Sequence, residues 1–200
     1  MDKIKAARDF ITHALPHVPF DGWSQTTLGK AAQDAGYKKT DSIRVFPNGA
    51  IQAVDTYFLL MDSRMLDALA HYHLDSMKIR QRATLCVRLW LEAQEGHKEA
   101  LRRAIALQAL PIYSSHALAS LYHTVDEMWR AIGDNSTDFN FYTKRLLLGA
   151  VLSTTTIYWL NDSSAGHQAS WEFLSRRIED VMRIEKAKHQ ARQWLSSVGL

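Results

Sequence analysis

The 200-residue chain contains one cysteine, nine glycines and four prolines. A lone cysteine excludes an intrachain disulfide framework and a thiolate metal cluster. Cys86 lies between Leu85 and Val87 in an apolar run, where a buried, inert thiol is expected. With so few glycines and prolines, these residues punctuate elements, and no alternating strand pattern bounded by hairpin turns occurs. Charge of one sign is scarce too. The 24 Lys and Arg against 21 Asp and Glu leave +3, too little on its own to imply a nucleic-acid partner. Long hydrophobic runs are missing. Residues 104–125 carry no Asp, Glu, Lys or Arg, but Pro111 breaks them and Ser114, Ser115, His116 and His123 wet them. Residues 146–161 are more apolar yet number only 16, short of the roughly 18 that suggest a membrane span. The start, Met1-Asp2-Lys3-Ile4-Lys5, has neither a signal-peptide apolar stretch nor transit-peptide character. A reducing bacterial cytoplasm is the expected compartment.

What remains is helical periodicity in a composition 46% hydrophobic and 22% charged, enough for a real core. Ile4, Ala7, Phe10, Ile11 and Ala14 give a first short amphipathic helix, closed by a Pro16–Pro19 turn. Ser24-Gln25-Thr26-Thr27 offers N-caps for a second, ending at Gly36, and Thr40–Phe46 forms a third before Pro47. Ala50 to about Gln94 reads as near-continuous helix. Helices over Leu101–Leu110 and Ile112–Ile132 follow. One capped by Asn135–Asp138 runs to Leu160, and a last one starts near Gln168 and reaches toward Ser197. The organisation expected is all-α: a helix-turn-helix-like head over 1–49, a larger bundle over 50–182, and an amphipathic basic helix over 183–200. Three short helices before a bundle resemble the TetR regulators, whose bundles enclose a ligand cavity.

That head raises the question of DNA. Residues 1–49 hold seven cations against five acids, and the candidate reading helix holds Lys38, Lys39 and Arg44 with Asp41. A balance of +2 is modest for phosphate binding, so no nucleic acid is expected. Metal chemistry finds no ligand set: no glutamate is followed three positions on by histidine, as a di-iron bundle needs, and no His-Glu-x-x-His occurs. His71 and His73 fall on different helix faces, whereas His123 and Glu127 share one, a spacing commonest in surface hydrogen bonds. There is no Gly-x-Ser-x-Gly elbow and no phosphate loop. No catalytic residue, metal or cofactor is assigned.

Lipid chemistry is better served. Leu146, Leu147, Gly149, Ala150, Val151, Ser153 and Thr154–Thr156 mix large and small residues along an uncharged helix, with Lys144-Arg145 at its mouth. Small residues leave room between helices, hydroxyls satisfy themselves on the backbone, and cations at a rim suit an anionic headgroup. An ordinary buried helix with a solvated basic end reads the same way. Farther on, Ile184, Ala187, Ala191, Trp194 and Val198 form one stripe, broadened by Leu195. Arg183, Lys186, Lys188 and Arg192 oppose only Glu185 beside it. Such a helix docks on an anionic membrane or packs back on the bundle or a second subunit, so a homodimer is left open.

Specific blocks go beyond pattern. Leu-Tyr-His-Thr-Val-Asp-Glu-Met-Trp-Arg-Ala-Ile-Gly-Asp from Leu121 leads into Asn-Ser-Thr-Asp-Phe-Asn-Phe-Tyr-Thr-Lys-Arg at 135–145. With Asp162-Ser163-Ser164, the run Trp171–Met182, Phe20-Asp21-Gly22-Trp23 and Phe46-Pro47-Asn48-Gly49, the chain resembles the ubiquinone-biosynthesis accessory family Coq-nine over roughly 3–183. The resemblance implies a TetR-like fold that binds isoprenoid quinone intermediates or phospholipid. It also implies docking on the di-iron demethoxyubiquinone hydroxylase at the membrane, to which substrate is presented. By the same resemblance Met128, Asp138, Phe141 and Tyr142 belong to a partner patch, and Arg145 contacts phospholipid, with Lys144, Leu146, Gly149 and Ala150 alongside. Position 141 is Phe where the family often carries Trp, which keeps an apolar anchor without the indole donor. The expected location is the cytoplasmic face of a bacterial inner membrane, peripherally bound. A TetR-type regulator sensing a hydrophobic ligand is the alternative.

Overall fold

The computed structural model describes the backbone of residues 2–134 and 139–197 and the side chains of 2–134 and 141–183. Ten α-helices and no strand occur among the described residues. Helix α1 (Lys3–Ala14) starts on Asp2, whose carboxylate accepts from the N–H groups of Ile4 and Lys5, and buries Phe10, Ile11 and Ala14. Ile4, read as part of that face, is exposed instead. Where only a turn was expected, a one-turn helix α2 (Val18–Asp21) forms, with Pro19 in the first turn, where a missing N–H costs nothing. Helix α3 (Gln25–Asp34) is capped by the Ser24 hydroxyl and terminates at Gly36, whose φ of +82° favours glycine. Helix α4 (Asp41–Val45) completes the head.

The long helical stretch expected from 50 to 94 is two helices, α5 (Ala50–Leu69) and α6 (Ile79–Glu92), joined by a segment containing the 3-10 turn Leu74–Ser76. The reason is a lapse of the apolar stripe. Met61, Met65 and Leu69 face the core, but Tyr72, His73 and Ser76, which would continue that face, are exposed. Helices α7 (Lys98–Gln108), α8 (Ser114–Ala131), α9 (Phe139–Leu160) and α10 (Gln168–Ser197) complete the chain. The capping expected of Asn135–Asp138 lies outside the described residues. Helix α10 runs unbroken through 182–183, so no backbone feature marks a separate C-terminal segment there.

One core joins head and bundle. The Trp23 indole donates to the Ala100 carbonyl (3.0 Å), tying the chain before α3 to α7. Tyr57 donates to Gln94 (2.6 Å), and Trp90 donates to Asp62 (2.8 Å), which sets α5 and α6 antiparallel. Burial pushes the Tyr57 hydroxyl pKa far up, so it remains a neutral donor. Cys86 is buried as expected, and burial pushes its thiol up to about 12. No helix among the described residues is long and apolar enough to cross a membrane.

Candidate functional site: an apolar cavity behind an exposed face of α9

Five helices, α5 to α9, enclose a cavity of about 280 Å³. Its walls include Phe58, Trp90, Ile105, Leu121 and Leu152, and Ile157, 60% exposed, stands at its mouth. Among the described residues, no Asp, Glu, Lys or Arg lines it. Its polar side chains are Gln108, Ser120, Thr124, Ser153 and Thr156. Thr156 returns its hydroxyl to the Leu152 carbonyl, as serines and threonines in helices do.

Two Asp–His pairs stand behind the α7–α8 wall. His116 Nδ1 lies 2.7 Å from Asp55, and His123 Nδ1 lies 3.0 Å from Asp62. Both members of each pair advance by seven residues, two turns, so α5 and α8 run parallel here. Asp62, 3% exposed, also accepts from Trp90 and from Thr124 (2.8 Å). Burial raises its pKa, and the bonds from Thr124, Trp90 and His123 offset only part of that rise. His123, which shares a helix face with Glu127, bonds across to Asp62 instead. Among the described residues no group of three His, Cys, Asp or Glu side chains could hold a metal ion.

The residues expected to bind lipid do not converge on this cavity. Arg145 is 4% exposed and holds Asp126 (2.6 Å) and Asp134 (3.4 Å), so its guanidinium is consumed inside the protein rather than standing at a mouth. Leu146 is 75% exposed and Ala150 is exposed, both on the outer face of α9. Gly149 turns its bare side to Leu121 and Val125, 3.7–3.9 Å from where a Cβ would stand, and thereby seats α9 on α8. Lys144, paired with Asp134 (2.6 Å), borders a second apolar cavity of about 200 Å³, between α6, α8, α9 and α10, with Arg80 also at its edge.

The partner residues divide as well. Met128 is fully buried, Phe141 half-buried and Tyr142 exposed. Asp138 lies outside the described residues. On α9, Tyr142, Leu146, Ala150 and Ile157 recur at helical spacing and form one outward, largely apolar stripe. Leu118 and Tyr122 on α8 are exposed too. Of the membrane residues, Arg183 is exposed, with Asp180 at 3.8 Å. The side chains of Lys186, Lys188, Arg192, Trp194 and Leu195 lie outside the described residues. In the head, Arg44 pairs with Asp41 (3.6 Å), and the Lys39 stem covers Gly29, where a Cβ would meet it at 2.9 Å.

A bundle cavity was expected, but most of its lining and the Asp–His pairs went unread in the sequence. The only available signal was the seven-residue spacing of Asp55 and Asp62, matched by His116 and His123.

Comparison with known proteins agrees with this architecture. The solved TetR transcriptional regulator from Nitrosomonas europaea matches at a TM-score of 0.68 and 18% identity, over 86% of this chain and 95% of that one. The COQ9 family model matches residues 114–185. The mitochondrial ubiquinone biosynthesis protein COQ9 of Drosophila melanogaster is 30% identical over 190 residues, 92% of this chain, and that of Homo sapiens is 28% identical over the same span. This chain spans 57% and 58% of the length of those two relatives. By fold the chain is TetR-like, and by sequence it is a relative of the COQ9 ubiquinone biosynthesis proteins.

Proposed function

We propose that this chain is a non-catalytic, lipid-binding accessory protein of ubiquinone biosynthesis. The bundle takes up an isoprenoid quinone intermediate and presents it at the membrane to the di-iron demethoxyubiquinone hydroxylase. The observation that carries the reading is the uncharged cavity whose mouth, at Ile157, opens beside the exposed stripe of α9. Enclosed apolar surface is what an insoluble tail needs, and an exposed apolar stripe is what a protein partner buries. An anionic phospholipid is better served by the second cavity, where Lys144 and Arg80 stand at the edge. The basic end of α10 supplies the attraction to an anionic, cytoplasmic membrane face.

The test is mass spectrometry of organic extracts from the purified protein and from Ser153→Trp, which fills the cavity. Isoprenoid quinone precursors in the first, depleted at least tenfold in the second, support the reading. A bare wild-type protein, or equal loads in both, overturns it.

The TetR-like fold favours one other reading, a DNA-binding regulator. The engagement of Arg44 and Lys39 within the head weighs against it. Titration with random duplex at about 50 and 200 mM salt separates the two, because phosphate binding weakens steeply over that range.

A further inference from the structure

The α7–α8 wall of the cavity is unevenly supplied with hydrogen-bond partners. Gln108, 6% exposed, donates from Nε2 to Ser120 Oγ (3.1 Å) and Asp55 Oδ1 (3.4 Å). A carboxylate can only accept, so this contact fixes which end of the amide is nitrogen. Its Oε1 is left without a donor among the described residues. Thr124 spends its proton on Asp62, which leaves its oxygen able to accept. Against these two acceptors the wall offers one proton, on the Ser120 hydroxyl, whose oxygen is already occupied by Gln108; on α9 the lining adds the Ser153 hydroxyl, while Thr156 is spent on the Leu152 carbonyl. Behind the wall stand Asp55 and Asp62, each paired with a histidine, and among the described residues no Lys or Arg lines the cavity.

A ligand head meeting this wall is favoured when it donates and penalised when it is negative. The open Oε1 of Gln108, in the lining, is an acceptor that a ligand hydroxyl can bond. A carboxylate or phosphate would face two acceptors with no Lys or Arg among the described lining residues to offset its charge. We infer that Gln108, backed by Asp55, makes this cavity selective for a neutral amphiphile whose ring carries a free hydroxyl, a phenol or hydroquinone. Acceptor-only forms of the same ring, and anionic amphiphiles of equal length, are disfavoured. This rests on the cavity being the lipid site proposed above, and it adds which chemical and oxidation state of the ring the site holds.

Three probes that differ only at the head separate the terms: para-nonylphenol, its methyl ether para-nonylanisole, and para-nonylbenzoate. Each is titrated calorimetrically into delipidated full-length protein. The phenol should bind about tenfold tighter than the ether, the margin of one well-made hydrogen bond, and the benzoate weakest. Gln108→Met removes the acceptor and should abolish the phenol's advantage while leaving ether affinity within about twofold. Ser120→Ala removes the wall's proton and keeps the acceptor, so the advantage should survive there. This holds the inference open to test even if the Gln108 variant misfolds. Equal binding of phenol and ether, both blocked by Ser153→Trp, would overturn the selectivity and leave the lipid site standing. Binding of none of the three would overturn the lipid site and the selectivity together.

Discussion

The Arg145 guanidinium carbon sits 3.3 Å over the centre of the Phe141 ring while its Nε donates to Asp126 at 2.6 Å. Its Nη1 donates to the Phe141 carbonyl as well (3.2 Å). One buried cation thus joins α8, the chain after it and the first turns of α9, and it sets the base from which Tyr142 projects.

Removing that cation leaves Asp126 to Arg130 (2.8 Å) and Asp134 to Lys144 (2.6 Å). Breaking a buried pair costs on the order of 3–5 kcal/mol when the remaining charge has no other partner; here each acid keeps one, so Arg145→Ala should lower unfolding stability by about 1–3 kcal/mol. Arg145→Lys should recover less than half, because an ammonium cannot donate to Asp126 and Asp134 while lying over a ring. Urea denaturation reads both. A near-neutral Arg145→Ala would mean that Arg130 and Lys144 suffice for the two acids.

Tyr142 and Leu146 are exposed and one turn apart. Tyr142→Ala with Leu146→Ala should move stability by no more than about 0.5 kcal/mol each. Exposed anchors at a patch centre cost about 2 kcal/mol or more when truncated. The double variant should therefore weaken capture of the purified hydroxylase at least thirtyfold. Full capture by a folded double variant would place the partner elsewhere.

Asp62 gives a pH signature. Burial raises its folded-state pKa above the unfolded value, so the folded chain holds this proton more tightly. Its contribution to stability is gained as pH falls through the folded pKa and lost as pH rises through it. Asn at this position still accepts from Trp90 and Thr124 but does not titrate. From about pH 7 down to about pH 4, above the ordinary carboxylate range, wild type should gain stability relative to Asp62→Asn. A difference that stays flat across that window would show that Asp62 ionises like a surface carboxylate.

Charge reversal probes the basic end of α10. Lys186→Glu with Lys188→Glu changes the local balance by four charges, each worth about 1 kcal/mol near an anionic surface. Flotation with phosphatidylserine-containing vesicles in moderate salt should fall at least a hundredfold. Unchanged flotation would assign attachment to another surface.

Local signals proved legible in this sequence. The Ser24 cap, the Gly36 stop and the buried Cys86 each follow from neighbours within a few positions. The break after Leu69 was less so, because neither glycine nor proline marks it and only the loss of inward apolar positions does. The fate of Arg145 was not legible at all. Its acids lie 19 and 11 residues away, so a cation that sequence places at the mouth of an apolar helix is claimed by tertiary packing. The outward turn of Leu146 and Ala150 escaped for a related reason, since an uncharged helix shows no polar side to say which face meets water.

The two Asp–His pairs, seven residues apart on both helices, act as a key in a keyway. A slip of α8 along α5 by one turn, about 5.4 Å, would unseat both histidines at once and leave Asp62 with the Trp90 indole of α6 as its remaining donor. The back of the cavity is therefore a ruler of fixed length. In the lipid site proposed above, a tail longer than this ruler would emerge past Ile157 onto the face of α9, so chain length would set how much of a ligand stays outside the bundle.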